Sequence, residues 1–587
     1  MYNSFNIRRK RYLPKLFLLG LVLNIAFVNA VFAEEEFKFI ILGDRTGSHV
    51  PGVYKSIVAE IERIRPDFII NVGDLIEGYI SDADSINKEW DEVLAVLDKT
   101  SLPYYLIPGN HDIWDTQSES IYVKRCGKPY YSFDYKNTHF VILDNSIIES
   151  WEEIPEEQYD WVRNDLKKHR KAQNIFCFFH KPFWYDAIVS NATDKLHELF
   201  KEYGVDRVFS GHWHVYANTE WDGIIYTIVG SSGGGMEAEA EPKGAFFHYL
   251  LVTVEDENVH VAVIKAGNVL PPDVVTLADR ETIKKIEQEY VKLNPFEVIG
   301  EDKKIKGNIT VIIKNIQPDT LNTNLKWSLA AWQIVPESVN CSIAPGTDAN
   351  YSFNCQLKDI TKLYPLPSFK IPYVYKASKE CLVKKTVSLD RIAICKKIKS
   401  SPIIDGNIDD PCWKKIKPLS VFAGGYGDAS KLDNTEVFLA YDDSQLYIAT
   451  RCTETETVKM KADCTERDGT VWQDDNLWFF FDTNHDKTTY YQLMVNPNGA
   501  IFDRSCKLEA GTSTKDISWN GPWNVKSGRG EGFWTLEISV PLADLGSLKP
   551  KIWGFNVRRL QTRLDDACVW SLPFEHNPTT FAELRFE

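Results

Sequence analysis

Positive charge is in short supply in this sequence. Its 587 residues carry 67 Lys and Arg against 82 Asp and Glu, a formal net charge of -15. That balance argues against a nucleic-acid backbone as the main partner, because neutralising phosphates requires Lys and Arg in excess. Long apolar runs are also missing: beyond residue 33 no stretch is long and apolar enough to span a bilayer. The signature of disorder is absent too, with 44% hydrophobic and 25% charged residues. Cysteine is present in an odd number, 11, so full pairing within the chain is excluded. The length suffices for about three or four domains.

The first 33 residues read as a signal peptide. Arg8, Arg9, Lys10, Arg11 and Lys15 form a positive start, an uncharged apolar run follows over 16–33, and Val31-Phe32-Ala33 precedes Glu34-Glu35-Glu36. The small residue closing that run favours cleavage and export, to the outside, the periplasm or the cell surface. An uncleaved anchor is the alternative, since the run is just long enough for a thin bilayer. After cleavage no membrane span is expected.

Five short patterns then follow in order: Gly43-Asp44, Gly73-Asp74-x-x-Glu77, Gly109-Asn110-His111-Asp112, His180 in FFHKP, and Gly211-His212-x-His214. Each comes just after an apolar run that reads as a strand. Loops after parallel strands open at one sheet edge, so these residues are expected to converge on one crevice. Asp44, Asp74, Asn110, His180, His212 and His214 would there offer two carboxylates, an amide oxygen and three imidazoles, the donors of a site for two divalent metals. Two metals most often serve hydrolysis of a phosphate ester. His212 and His214, two apart in an extended segment, would share a side and each serve a different metal. Taken singly each pattern is a common turn or surface histidine; it is their order, each after a strand, that points to chemistry.

Strand and helix patterns alternate over 34–270, as in an α/β layered domain, and Pro271-Pro272 closes it. Residues 283–395 change to short alternating strands split by turns, the pattern of a small β-sandwich, with no catalytic constellation, so a spacer is favoured. Cys341 and Cys355 flank the Pro345-Gly346 turn and could bridge a hairpin there. Cys177, inside a strand run, reads as a buried free thiol. The charged stretch 396–402 reads as a second linker. Residues 401–587 are again all-β and rich in Trp.

The motif order of the first domain resembles the calcineurin-like metallophosphoesterase family: D-x-H, G-D-x-x-D/E, G-N-H-D/E, H and G-H-x-H. The resemblance implies a four-layer α/β sandwich holding two metals (manganese, iron or zinc). Asp44, Asp74 and His214 would hold one, and Asp74, Asn110, His180 and His212 the other. It further implies in-line attack on phosphorus by a metal-bound hydroxide, with His111 protonating the departing oxygen. One position departs from the family: Thr46 stands where D-x-H has His. Purple acid phosphatases, relatives in the same superfamily, also lack that His and use the last residue of G-D-x-x-Y, here Glu77. Glu77 is then either a ligand favouring a harder ion or an acid that orients the ligands. His49 is a weaker substitute. Arg45 and Thr46 are candidates to touch substrate phosphate, whereas for Trp114, Trp184 and Tyr185 loop packing is favoured over pocket lining.

PIIDGNIDDPCW, YDDSQLYIATRC, WQDDNLWFFFD, YYQLMVNPNGAIFD, FWTLEISVPLADLG and WGFNVRRL resemble the family 9 carbohydrate-binding domains over 401–587. An all-β sandwich and a polysaccharide ligand follow as expectations. Trp413, Trp478, Trp534 and Trp553 lie in strand patterns and read as core; Trp472, Trp519 and Trp523 lie nearer loops and could stack on a sugar ring. Asp474-Asp475 could bind a structural calcium or simply serve a turn. The whole is expected to be an exported three-domain phosphoesterase acting on a mono- or diester and targeted by a glycan-binding module. The rival is a non-catalytic surface binding protein whose phosphoesterase domain has decayed, with the missing His at position 46 as its sign.

Overall fold

The computed structural model describes residues 36–236, 240–301, 304–376, 379–425, 427–509, 512–546 and 550–587. The signal-peptide segment lies outside them. Two compact units divide at residue 280/281.

Among the described residues of the first unit, twelve strands form two sheets. They are β1 (Phe37–Leu42), β2 (Phe68–Asn71), β3 (Tyr104–Leu106), β4 (Tyr131–Tyr135), β5 (Thr138–Ile142), β6 (Asn174–Phe178), β7 (Arg207–Ser210), β8 (Ala217–Trp221), β9 (Ile224–Ile228), β10 (His248–Glu255), β11 (Asn258–Lys265) and β12 (Asn268–Leu270). One sheet runs β12-β11-β10-β1-β2-β3 and the other β4-β5-β6-β7-β9-β8. β1, β2 and β3 are parallel, as are β5, β6, β7 and β9. The motif-bearing strands therefore come from two sheets, not one. Strands β1, β2 and β3 supply Asp44, Asp74 and Asn110, whereas β6 and β7 supply the histidines.

What joins the sheets is a layer of Phe. Phe39 stacks on Phe68 at 5.1 Å, Phe178 on Phe209 at 5.2 Å, and Phe140 meets Phe68 edge-on at 5.6 Å. All five are buried in one cluster between the sheets. Aromatic pairs at these distances add about 0.5–1.5 kcal/mol beyond their area. Such a layer fixes one sheet against the other and so fixes where their loops meet. Helices cover the outer faces. Val53–Ile64 buries Tyr54, Ile57, Val58 and Ile61, the one-face spacing of an amphipathic helix. With Ala83–Leu97 it packs on the first sheet, and Glu156–His169 and Lys195–Tyr203 pack on the second. The result is a four-layer α/β sandwich. Trp184 and Tyr185 are buried on the second sheet's outer face, the packing role expected of them.

The second unit begins with two four-stranded sheets that share one core: strands 291–293, 305–314, 348–357 and 333–335 in one, and 338–343, 321–328, 368–376 and 379–386 in the other. Cys341 and Cys355 lie in different sheets and both are free thiols, so the hairpin disulfide is not formed. The Pro345-Gly346 turn carries the chain across the sandwich instead of back along one sheet. The strand Leu389–Lys397 then pairs with Phe296–Ile299 on the spacer side and with Ala582–Phe586 and Thr435–Tyr441 on the C-terminal side. Residues 396 and 397, read as linker, are thus inside a sheet. Buried Arg391 on this strand bonds Glu301, Val421 O and Trp570 O, and its guanidinium lies 4.4 Å over the Trp570 ring. The C-terminal sandwich has its own core, including Trp534, Trp553, Phe479 and Leu493.

Candidate metal centre

The five motif loops meet at the C-terminal ends of the parallel strands. Ligand atoms of Asp74, His180 and His212 lie within 4.8 Å of one another, and so do those of Asp44, Asp74 and His214. Asp74 is common to both groups. Asn110 joins the first through Oδ1, 3.1 Å from His180 Nε2. The donor set fits metal ions: carboxylates and imidazoles converge with their free lone pairs inward, and the backbone occupies their outer sides. His180 Nδ1 bonds Val72 O at 2.8 Å and His214 Nδ1 bonds Gly235 O at 2.5 Å, which leaves Nε2 of each for the centre.

Burial and charge oppose one another here. Burial pushes the Asp44 carboxyl up, offset in part by His180 and His214. Burial also acts to raise Asp74, yet the neighbouring His180 ring, 3.0 Å away, holds it below the usual range. The same pair raises His180 against its own burial. The His212 ring is pushed down by burial and by His180.

Three of the candidate ligands have left-handed backbone. Asp74, His212 and His214 have φ of 56°, 77° and 51°. His212 and His214 are therefore not in an extended segment; each is turned by a left-handed residue, a conformation that non-glycine residues adopt only when the surroundings fix it. Asp44 fixes His212 by accepting its N–H at 2.9 Å. Two glycines are required by close approach. A Cβ on Gly109 would lie 2.1 Å from Asp74 Oδ1, and one on Gly73, at φ 108°, would lie 2.5 Å from His180 Nδ1.

Three groups that hold the ligands were not read from the sequence as functional. Asp112 accepts N–H bonds from Asp74 and Gly109 on Oδ2 and from Leu75 and Ile76 on Oδ1. Its signal was its place in Gly-Asn-His-Asp. Asn145 Oδ1 accepts the N–H groups of His180 and Lys181, both at 3.0 Å. The segment 231–235 donates from Ser232 and Gly234 to Asp44 O. Its signal was the Ser-Ser-Gly-Gly-Gly run directly after a strand.

Glu77 lies outside both ligand groups. Its carboxylate is engaged by the loop before it: Oε1 accepts from His49 N at 2.9 Å and meets His49 Nδ1 at 2.7 Å, and Oε2 accepts from Ser48 N at 3.1 Å. Burial would raise this carboxyl, but the neighbouring Thr46 hydroxyl and the His49 contacts hold it down at about 2. Of the two readings the geometry favours the orienting acid, and it occupies His49 as well. Glu77→Ala is accordingly expected to keep both metals while raising KM through a loosened 46–49 loop. Metal analysis finding one site lost would return Glu77 to the ligand set. Arg45 is also corrected: its guanidinium bonds Leu75 O and Glu92 Oε1, both at 2.7 Å, and is buried by them rather than offered to a phosphate. Thr46 is buried beside Glu77.

In the C-terminal module the sugar-platform tryptophans separate. Trp523 is 7% exposed and its Nε1 donates to Asp503 Oδ2, so it is core. Trp519 is half-buried and stacked on Tyr491 at 4.6 Å. Trp472 alone is exposed. Trp478, read as core, instead lies half-buried on the outer sheet face, where Arg558 sits 4.5 Å over its ring and His576 at 5.8 Å. Trp478 Nε1, Gln492 Nε2 and His576 Nδ1 are buried there without a protein partner. Arg504 Nε donates to Gln492 Oε1 at 2.7 Å. Asp474 and Asp475 are buried and their oxygens accept protein donors, from Asp463, Cys464 and Asn496 and from Lys461 and Thr562 respectively.

Residues 37–216 match the calcineurin-like phosphoesterase family, and residues 404–567 match the family of carbohydrate family 9 binding domain-like sequences. The chain is 28% identical over 211 residues to the serine/threonine-protein phosphatase CPPED1 of Homo sapiens, a match covering 32% of this chain and 66% of the relative. It is 30% identical over 164 residues to purple acid phosphatase 15 of Arabidopsis thaliana, covering 23% of this chain and 30% of the relative. The chain thus spans just under two thirds of the first relative and less than a third of the second. Among solved structures, a family 9 carbohydrate binding module from Caldicellulosiruptor kristjanssonii in complex with cellotriose is 18% identical, with a TM-score of 0.25, over 33% of this chain and 93% of that one. By family model, then, the chain carries a match to calcineurin-like phosphoesterases at residues 37–216 and a match to carbohydrate family 9 binding domain-like sequences at residues 404–567.

Proposed function

We propose that the chain hydrolyses phosphate esters at a dinuclear centre in its first unit and binds glycan through its C-terminal module. The observation that carries this reading is the pair of ligand groups sharing Asp74. Asp44, Asp74 and His214 would hold one metal, and Asp74, Asn110, His180 and His212 the other. The bound metals would supply positive charge against the charge that develops on the phosphoryl oxygens. The residues do the rest. Asp112 and Asn145 fix the ligand loops before substrate arrives, so little reorganisation is needed on binding. His111 is held at two points: its N–H donates to Asp74 Oδ1 at 2.9 Å, and its Nδ1 bonds Glu77 O at 2.6 Å. That leaves Nε2 to deliver a proton to the departing ester oxygen. These braces around His111 favour catalysis over a decayed binding protein. Turnover of phosphate esters by the purified chain with added manganese, abolished by chelation and restored by metal, is the direct test. Metal-loaded protein without turnover on mono- or diesters sinks the reading.

For the module, Trp478, half-buried on the outer sheet face, supports a glycan site better than the core residue Trp523 does. Tethering a weak sugar contact would raise the local concentration of the enzyme at a polysaccharide. Trp478→Ala is expected to abolish retention on polysaccharide while leaving turnover of a small soluble ester unchanged. Retention equal to wild type would move the site elsewhere. We also infer export, from the basic start and the Val31-Phe32-Ala33 ending. N-terminal sequencing of protein from its host should begin near Glu34; an intact Met1 in membranes would mean an anchor.

A further inference from the structure

We propose that Tyr79 and Trp114 form the leaving-group subsite of this centre and take a flat aromatic leaving group. The proposal rests on the phosphoesterase reading and names the class of ester.

Tyr79 is 56% exposed, among the most exposed large hydrophobic side chains described in the first unit, yet it is held fast. Its hydroxyl accepts a bond from Asn110 Nδ2 at 2.9 Å. Its ring meets the His111 ring edge-on at 5.0 Å and 81°, and lies 5.5 Å from the Trp114 ring at 35°. Its backbone is left-handed, with φ 55° directly after Gly78 at φ 63°. Such a conformation is an outlier for a bulky residue and persists only where the surroundings impose it. The imposing contact is visible: a Cβ on Gly78 would lie 2.1 Å from His111 O and 2.8 Å from the Trp114 ring. The turn at 78–79 is thus pressed onto the loop that carries Asn110, His111 and Trp114.

Two consequences follow from this placement. First, Tyr79 is a positioning residue for the metal. By holding Asn110 Nδ2 it turns Oδ1 inward, toward His180. An Asn with either face free would present the wrong atom to a cation about half the time. Second, the ring is a presented surface. An exposed aromatic side chain normally loses rotamer freedom when it binds something, but this one is fixed beforehand at its hydroxyl and at its edge, so little of that entropy remains to be lost. The ring stands beside His111, the group that would protonate the departing oxygen. Whatever leaves from phosphorus leaves alongside Tyr79 and Trp114. Aromatic faces favour a planar π partner, by offset stacking or edge contact, over an alkyl chain of similar reach. A phenolic ring and a nucleobase share that chemistry.

The test uses the full chain loaded with manganese and four substrates: phenyl and ethyl esters of phosphate, each as monoester and as methyl diester. The quantity read is the ratio of kcat/KM for phenyl over ethyl, compared between variants, so the intrinsic difference in leaving-group reactivity cancels. Tyr79→Ala should lower kcat/KM for both esters, as Asn110 loses its brace, and lower the ratio a further two- to tenfold, the span of an aromatic pair at about 1.4 kcal/mol per decade. Trp114→Ala should lower the ratio similarly. Tyr79→Phe loses the hydroxyl and keeps the ring: metal occupancy should fall while the ratio stays at the wild-type value. That split between occupancy and ratio is not what a merely structural tyrosine gives. A wild-type ratio in Tyr79→Ala overturns the subsite, and so does a ratio that falls equally in Tyr79→Phe. A wild-type chain inert on all four esters with its metals bound overturns the phosphoesterase reading itself, and is distinguishable from both.

Discussion

His111→Ala is expected to keep both metals and lose at least a hundredfold in kcat, whereas Asn110→Ala loses metal and rate together. The two residues are neighbours in one turn but face different partners. Asn110 presents Oδ1 to the ligand cluster, 3.1 Å from His180 Nε2. The ring of His111 belongs to neither ligand group and is tied at Nδ1 to Glu77 O. Removing the imidazole therefore deletes a proton donor without opening the coordination sphere, and loss of a general acid typically costs a factor of about 10² to 10⁴. Removing the amide takes a ligand atom away. Metal analysis of the two purified variants beside their kcat values is the measurement. Equal metal loss in both would place His111 among the ligands and end its assignment as the acid.

Asp112→Asn is expected to be as damaging as loss of a ligand, although Asp112 touches no metal. Its two carboxylate oxygens accept four backbone N–H groups, from Asp74, Leu75, Ile76 and Gly109, and the residue is fully buried. An asparagine presents N–H₂ on one side, so one pair of amides faces a donor instead of an acceptor. Each buried group left unpaired costs about 1–3 kcal/mol, and the pair carries the turn on which Asp74 sits. Since Asp74 is common to both ligand groups, both metal sites should weaken together. Thermal unfolding of the metal-free variant, with occupancy measured at micromolar manganese, reads both effects. A variant with wild-type melting and two full sites would show that the turn is held by its glycines and strands alone.

Much of the centre was legible because it is local. A Gly-Asp or a Gly-Asn-His-Asp at the end of an apolar run states both the residue type and its place at a strand end, and strand ends of like direction share an edge. That rule places Asp44, Asp74 and Asn110 at one sheet edge and His180, His212 and His214 at another; only the structure shows that the two edges meet. Asn145 was not legible: an asparagine after a strand is common, and only the proximity of β5 to β6 shows that it carries the His180 amide. The loop 231–235 was missed for the same reason, since its service to Asp44 and His214 depends on chain segments about 190 and 20 residues away. The glycan tryptophans erred in the other direction. A strand pattern says that a side chain alternates, not which face of a sheet is covered, so Trp478 was read inward and Trp523 outward.

By itself the sequence determined which candidate ligands close strand runs and that strands dominate residues 283–587, since both are written in spacing and periodicity. Only the tertiary structure decided how the ligands are oriented and what else they touch. Two sheets joined by a layer of Phe bring loops from both to one place; left-handed turns at Asp74, His212 and His214 aim their side chains; and Glu77 is spent on the 46–49 loop. These are matters of a few ångströms and of which lone pair is already bonded. They depend on contacts between residues far apart in the chain, and no local pattern encodes them.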